Sequence, residues 1–271
     1  MHETTPVALA DALATQVRHV DGRTVVDSTV HDGFDVFTIP HGGYLAALAG
    51  AAVLGATGQP DLFTVTVHYL RKAVVGPLEF DVEVAGGSRR FTTVHARARQ
   101  DGEVVLAVLA SVGDRTGMGG PTWHATAPWQ PDEASLAPAA GSSPDALPAP
   151  AVAERVAMRP DLTSFGFAFD GPSGDATVRA RLELDAPDQL AALVACDVTP
   201  PAVWNALGRE GWVPTIELTA HVRARPAPGP LTVVATTAHV TDGFLDEDAV
   251  VHDATGALVV QSRQLARWTG A

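Results

Sequence analysis

Apolar and polar positions alternate along this chain in two sets of four short stretches. They lie near residues 61–72, 77–87, 90–100 and 103–113, and again near 213–224, 230–241, 245–253 and 257–267. Alternation with a period of two predicts strands with one face on a core and the other in solvent. Gly76-Pro77, Gly86-Gly87 and Asp101-Gly102 punctuate the first set, and Asp-Gly between alternating segments is a strong hairpin signal. A further strand-like run precedes each set, near Arg23 to Thr29 and in DATVRARLEL. Between that run and its set lies a helical stretch. In the first half it is HGGYLAALAGAAVLGATG, where Ala and Leu favour helix and Gly58 is a stop signal. In the second it is PDQLAALVACDVTPPAVWNALG. Pro200 and Pro201 suit a first helical turn, so a helix is expected to start near Thr199 and stop at Gly208. PVALADALATQV, from Pro6 to Val17, predicts a short opening helix.

The two sets are copies of one unit. VTVHYLRKAVVGPLEFDVEV, from Val65, aligns with ELTAHVRARPAPGPLTVVAT, from Glu217, at an offset of about 153 residues. His68 then pairs with His221, and Gly76-Pro77-Leu78 with Gly229-Pro230-Leu231. A repeat of this length governs the fold expectation. Sliding the first unit by about 154 residues sets Asp197 on Gly43, where the chain is expected to enter the helix in both copies. One helix with an antiparallel sheet wrapped around it, made twice, is an α+β tandem (double) hotdog: two antiparallel sheets, each on a central helix. Side by side, two units cover each other's exposed helix flank and sheet edge. The units are expected at residues 1–114 and 161–271. A Pro/Ala-rich linker over 115–160 (APAAGSSPDALPAPA) would run across the surface, its first part pinned by Trp123 and Trp129.

Composition narrows the class. The chain has 271 residues, 46% hydrophobic and 18% charged, with a formal net charge of −13. That describes a globular protein and argues against a nucleic-acid partner. The start lacks a basic segment followed by an apolar run, and Tyr44–Ala56 is too short and too rich in Ala and Gly to span a bilayer. A cytoplasmic protein with no membrane partner is expected. The single cysteine, Cys196, rules out an intrachain disulfide and a cysteine-rich zinc site. The ten histidines show no tight ligand spacing, so no metal is expected.

The chain resembles the type II (TesB-like) acyl-CoA thioesterases. In the first half the resemblance rests on HGGYLAALA, VTVHYLRKAVVGP and RFTTVHARARQDGEVVLAVLAS. In the second it rests on ACDVTPPAVWNAL, PTIELTAHVR and VVQSRQLAR. The resemblance implies hydrolysis of an acyl thioester by activated water, on a CoA or carrier-protein substrate, with coenzyme A as part of the substrate and no separate cofactor. It also implies that Asp197, Thr215 and Gln264 hold the attacking water. Asp197 would be the base, and backbone N–H groups at Gly42 and Gly43 would stabilise the oxyanion. Arg71, Lys72, Arg223 and Arg225, at matching strand ends, are candidates for the coenzyme A phosphates.

Each residue also has a plainer reading. Asp197 before Thr-Pro-Pro is a good helix cap, and Gly42 and Gly43 permit close helix–sheet packing. His41 reads as a cap or surface residue, Cys196 as packing, and the four cations as solvated. Gln264 shares a face with Leu258, Val260, Ser262 and Ala266, so it needs buried partners. Alternation sets Thr215 with Glu217, Thr219 and His221, away from the helix, unless the strand starts later or carries a bulge. Few aromatics predict an acyl tunnel of Ala, Val and Leu, and sheet surfaces of this kind favour a homo-oligomer. Two rival readings stay open. One is a hydratase or dehydratase of enoyl thioesters, which would want an Asp–His pair. The other is a non-catalytic acyl-thioester binding module.

Overall fold

The computed structural model describes residues 7–143, 147–169, 175–209 and 211–270. The first half contains α1 (Leu9–Ala12), β1 (Gln16–Val20), β2 (Arg23–Val30), β3 (Asp35–Val36), β4 (Ile39–Pro40), α2 (Gly42–Thr57), β5 (Asp61–Tyr69), β6 (Gly76–Gly87), β7 (Phe91–Gln100) and β8 (Glu103–Gly113). The second contains α3 (Ala151–Arg155), β9 (Met158–Pro160), β10 (Thr177–Leu182), α4 (Gln189–Ala195), α5 (Trp204–Leu207), β11 (Thr215–Val222), β12 (Leu231–Thr236), β13 (Val240–Thr241), β14 (Phe244–His252) and β15 (Leu258–Arg267). The opening helix is a single turn. Val17, expected at its end, lies in β1, and Pro6 lies outside the described residues.

The two expected sheets are fused into one. The strand order is β1-β2-β6-β7-β8-β5-β11-β15-β14-β12-β10-β9, with β13 on β14. It reads as two copies of the same order, mirrored about the β5–β11 seam. Thr66 pairs with Thr219 at that seam, with Val67 opposite Leu218 on one side and Val65 opposite Ala220 on the other. The two threonine hydroxyls hydrogen-bond at 2.8 Å. These residues stand 153 apart, the offset of the sequence repeat. Repeat-equivalent residues therefore meet each other, as a pseudo-twofold axis requires. The seam satisfies both edge strands, which would otherwise be open to foreign pairing.

Helix α2 is buried from Gly43 to Val53, so it is apolar on every side. Gly58 closes it in the left-handed region (φ 65°). Its stripe of small residues receives α4: a Cβ on Gly50 would lie 3.0 Å from Leu190 Cδ2. Phe34 stacks on Tyr44 at 4.5 Å, and the Tyr44 hydroxyl accepts from the His31 N–H and donates to the Ala12 carbonyl.

The second helical stretch departs from the expectation. It breaks into α4, a loop, and one turn at α5 that stops at Gly208 as expected. Pro200 and Pro201 have no N–H to donate and exclude helix before them, so the chain cannot continue from α4 as the first copy does through α2. Asp197 therefore follows the end of α4 and does not enter a helix of its own.

Residues 115–160 are also more than a surface linker. The Ala137 and Ala140 N–H groups donate to the Pro160 and Met158 carbonyls, and α3 buries Val152 and Ala153. Arg159 joins Glu133 (2.9 Å) to Glu183 (3.2 Å), tying the segment to the β10 edge. Trp123 is 82% exposed and pins nothing. Residues 144–146 lie outside the described residues.

Candidate active site

A cavity of about 610 Å³ opens where the N-terminus of α2, the end of β5, the loop after α4, β11, β14 and β15 converge. Asp197, Thr215 and Gln264 all line it and form one hydrogen-bonded row. The Thr215 hydroxyl donates to Gln264 Oε1 at 2.6 Å, and Gln264 Nε2 donates to Asp197 Oδ1 at 2.9 Å. Thr215 reaches the row because of a β-bulge between Thr215 and Glu217. The bulge inserts one residue and reverses the side chain against simple alternation. The first copy has the same irregularity between Leu62 and Thr64.

Strand pairing identifies the first-copy counterparts. Gln264 faces Leu218 as Ala110 faces Val65, Thr215 faces Ala266 as Leu62 faces Val112, and Glu247 faces Gln264 as Val94 faces Ala110. Leu62, Val94 and Ala110 are all apolar and fully buried. The first half thus kept the scaffold with core residues where the second half has polar groups.

Asp197 caps the other unit's helix. Its Oδ2 accepts the Gly43 N–H at 2.6 Å, across a separation of 154 residues. The sequence slide had already set those two positions together, and here they touch across the pseudo-twofold axis. A positive helix end suits a carboxylate. This contact revises the expectation for Gly43, whose N–H is committed to Asp197. Gly42, at the first helical position, has no intrahelical acceptor for its N–H and lines the cavity. Both glycines also admit the neighbouring elements: a Cβ on Gly42 would meet Asp197 Oδ2 at 2.9 Å, and one on Gly43 would meet Asp197 Cβ at 2.8 Å.

Tyr69 and Glu247 carry no signal in the sequence, and His41 does more than the expected cap. His41 is a cap, but it is buried rather than on the surface. Its Nδ1 accepts the Tyr44 N–H at 3.2 Å, which leaves the proton on Nε2, 2.8 Å from the Asp197 carbonyl and 3.2 Å from Oδ2. This is the Asp–His proximity a hydratase would want, yet both ring nitrogens are occupied by protein groups. The Tyr69 hydroxyl donates to the Gly42 carbonyl at 2.8 Å; burial first, then the Asp197 charge, pushes its pKa well above the usual tyrosine value, so it remains a donor. Glu247 lies beside Gln264, and burial pushes its carboxyl up to about 8. Only an unbroken three-dimensional seam brings His41 and Tyr69 to a residue more than a hundred positions away. Cys196, pushed up to about 12 chiefly by burial, donates to the Leu193 carbonyl and has no nucleophilic character.

The cations divide by strand direction. Arg71 and Lys72 are exposed at the cavity rim, Arg71 paired with Glu103 at 3.0 Å, and Arg209 joins them there. Arg223 and Arg225 are not at the site. β5 and β11 are antiparallel, so equivalent strand ends point to opposite ends of the molecule. Arg225 instead clamps the fully buried Asp61 at 2.6 and 3.0 Å. The cavity walls carry the expected Ala, Val and Leu, among them Leu45, Ala73, Leu147 and Val198, but Phe37, Phe165, Phe167, Trp204 and Trp212 line it too, with prolines of the 115–160 segment.

Two hotdog units fused edge to edge, with one polar row at the end of the seam, define a double-hotdog protein. The model of the acyl-CoA thioesterase N-terminal domain matches residues 30–113, and that of the acyl-CoA thioesterase C-terminal domain matches residues 131–267. A structure from Thermobifida fusca YX assigned as a thioesterase II is 28% identical, covers 98% of each chain and has a TM-score of 0.81. A hot dog fold protein of unknown function from Alicyclobacillus acidocaldarius is 23% identical, covers 98% of this chain and 100% of its own, and has a TM-score of 0.78. An uncharacterized protein of Mycobacterium tuberculosis is 29% identical over 249 residues, covering 83% of this chain and 84% of that one. The chain belongs to the acyl-CoA thioesterase family, in its type II (TesB-like) form. Its activity is hydrolysis of an acyl-CoA thioester to a carboxylic acid and a free thiol.

Proposed function

We propose that Asp197, Thr215 and Gln264 activate the water for this hydrolysis, and that the first half supplies the oxyanion donor. The observation that supports this reading is the continuous row from Thr215 through Gln264 to Asp197 along the cavity wall. Thr215 spends its only proton on Gln264 and keeps lone pairs free to accept. A water donating one proton to Asp197 and the other to Thr215 turns its own lone pair toward the thioester carbonyl. Asp197 takes the proton as the C–O bond forms, and the Gly42 N–H stabilises the negative oxygen. Collapse breaks the C–S bond, and the thiolate recovers the proton from Asp197. No metal or bound cofactor enters the scheme.

Thr215→Val keeps the shape and removes the hydroxyl. It is expected to lower kcat roughly tenfold, the worth of one hydrogen bond, with KM little changed in a free-thiol assay. A parent-like kcat would remove Thr215 from the scheme.

Coenzyme A phosphates are assigned to Arg71 and Lys72, which stand at the rim with Arg209. Arg71→Ala/Lys72→Ala should raise KM for an acyl-CoA about tenfold or more and leave KM for the corresponding acyl-pantetheine unchanged. Equal effects on both substrates would place the phosphates elsewhere. The aromatic walls suit an apolar acyl group. Among the described residues no helix is long and apolar enough to cross a membrane. A cytoplasmic location and a homo-oligomer joined through its sheet faces complete the proposal.

A further inference from the structure

Glu247 is a carboxyl group in the site for which the hydrolytic scheme has no use. It is buried on β14 directly opposite Gln264 on β15. Its Oε2 accepts the Ala202 N–H at 2.8 Å, and its Oε1 lies 3.4 Å from Gln264 Nε2. Ala202 belongs to the loop that leaves Asp197 and passes Pro200 and Pro201 on its way to α5. Glu247 therefore touches both the amide in the middle of the catalytic row and the loop that follows the base. We propose that Glu247 is a positioning residue, which holds the Gln264 amide between Thr215 and Asp197. The proposal rests on the catalytic reading above.

The amide nitrogen of Gln264 has two protons and two carboxyl neighbours. The shorter contact, 2.9 Å, goes to Asp197, and the longer, 3.4 Å, to Glu247. That inequality fits an ionised Asp197 and a neutral Glu247, because hydrogen bonds to charged acceptors are shorter and stronger. An ionised Glu247 would compete for the same nitrogen. It would draw the amide away from Asp197, and Gln264 Oε1 away from Thr215. The charged groups acting on Glu247 are Asp197, from the end of α4, and Asp246, beside it on β14; both are acidic. Tyr69 from β5 and His41 from the start of α2 lie beyond, against the Asp197 side of the row. Burial and these two carboxylates outweigh the Ala202 N–H and hold Glu247 protonated up to about pH 8. Its folded value is thus raised above the ordinary glutamate value of about 4.3. Stability from the neutral form is full below the unfolded value. It is lost progressively as pH rises from there through the folded value, and is constant above it.

The test is kcat and KM for thiol release from one acyl-CoA, measured across pH in the parent and in Glu247→Gln, with thermal midpoints on the same samples. In the parent, kcat should fall as pH rises through about 8 with KM steady, and the midpoint should decline over the range below it. In Glu247→Gln both declines should disappear. A variant that keeps the alkaline fall in kcat at the parent's pH overturns the proposal, even if its midpoint changes, since a merely structural role moves only the midpoint. A parent with no alkaline fall overturns it too. Glu247→Met, also unable to ionise, answers the same question if the glutamine variant does not fold. Asp197→Asn, measured in parallel, separates this from the catalytic reading: loss of activity there, with the alkaline fall retained in Glu247→Gln, discards Glu247 alone.

Discussion

Asp197→Asn should lower kcat for acyl-CoA hydrolysis by roughly 10² to 10⁴, the usual contribution of a positioned general base. Asparagine keeps the shape but cannot take the proton from water. Its stability should fall as well. Asp197 receives donors from Gln264, Gly43 and His41, and an asparagine must turn its NH₂ group toward at least one of them. A buried donor facing a donor costs about 1–3 kcal/mol, so a lower melting temperature is expected beside the lost activity. Free-thiol detection over a series of acyl-CoAs checks the first effect, and thermal unfolding the second. Hydrolysis at the parent rate would remove Asp197 as the base. An unchanged melting temperature would mean that the carboxylate is not the cap of α2.

The second large effect is expected at Gly43. A methyl group there would meet Asp197 Cβ at 2.8 Å and the Leu193 carbonyl at 3.0 Å. The first is the side chain proposed as the base and the second is backbone of α4, so neither can swing away as the tip of a long side chain would. Gly43→Ala must push α4 and Asp197 off α2 together. Overpacking of this kind costs about 1–3 kcal/mol, and a displacement of about 1 Å at a catalytic group can cost around 10² in rate. Both effects should appear in one variant. If Gly43→Ala were as stable and active as the parent, α4 would not approach α2 as closely as described.

The contrast between the two helical stretches shows what could be read from the chain beforehand. α2 was legible in full, from its small, apolar run to the left-handed stop at Gly58, because propensity, burial and capping agree there. The second stretch departs from its expectation: on sequence alone Pro-Pro suits the start of a helix, whereas here it ends the possibility of continuing α4. A proline tolerated in a first turn and a proline that terminates look alike without tertiary context. The strands were readable to within a few residues, since their alternation is strict. Thr215 was awkward because a bulge leaves no mark in alternation beyond the conflict itself. Gln264 stood out as a polar residue on a buried face. His41 is legible as a cap, but its contact with Asp197 and the place of Tyr69 are not, because both depend on the antiparallel seam that brings the start of α2 and the end of β5 to Asp197. The same seam removed Arg223 and Arg225 from the rim, as matching strand ends run apart in an antiparallel join. The 115–160 segment departs from its expectation for a different reason: proline-rich composition says little about packing once ion pairs such as Glu133–Arg159–Glu183 hold the chain down.

Because β5 and β11 are laced together residue by residue, this join between the halves offers no hinge. The half carrying the proposed base and the half carrying its helix partner move as one frame. Substrate entry and product exit are then left to the loops around the cavity mouth, and Thr215, Gln264 and Asp197 need no closure to find one another.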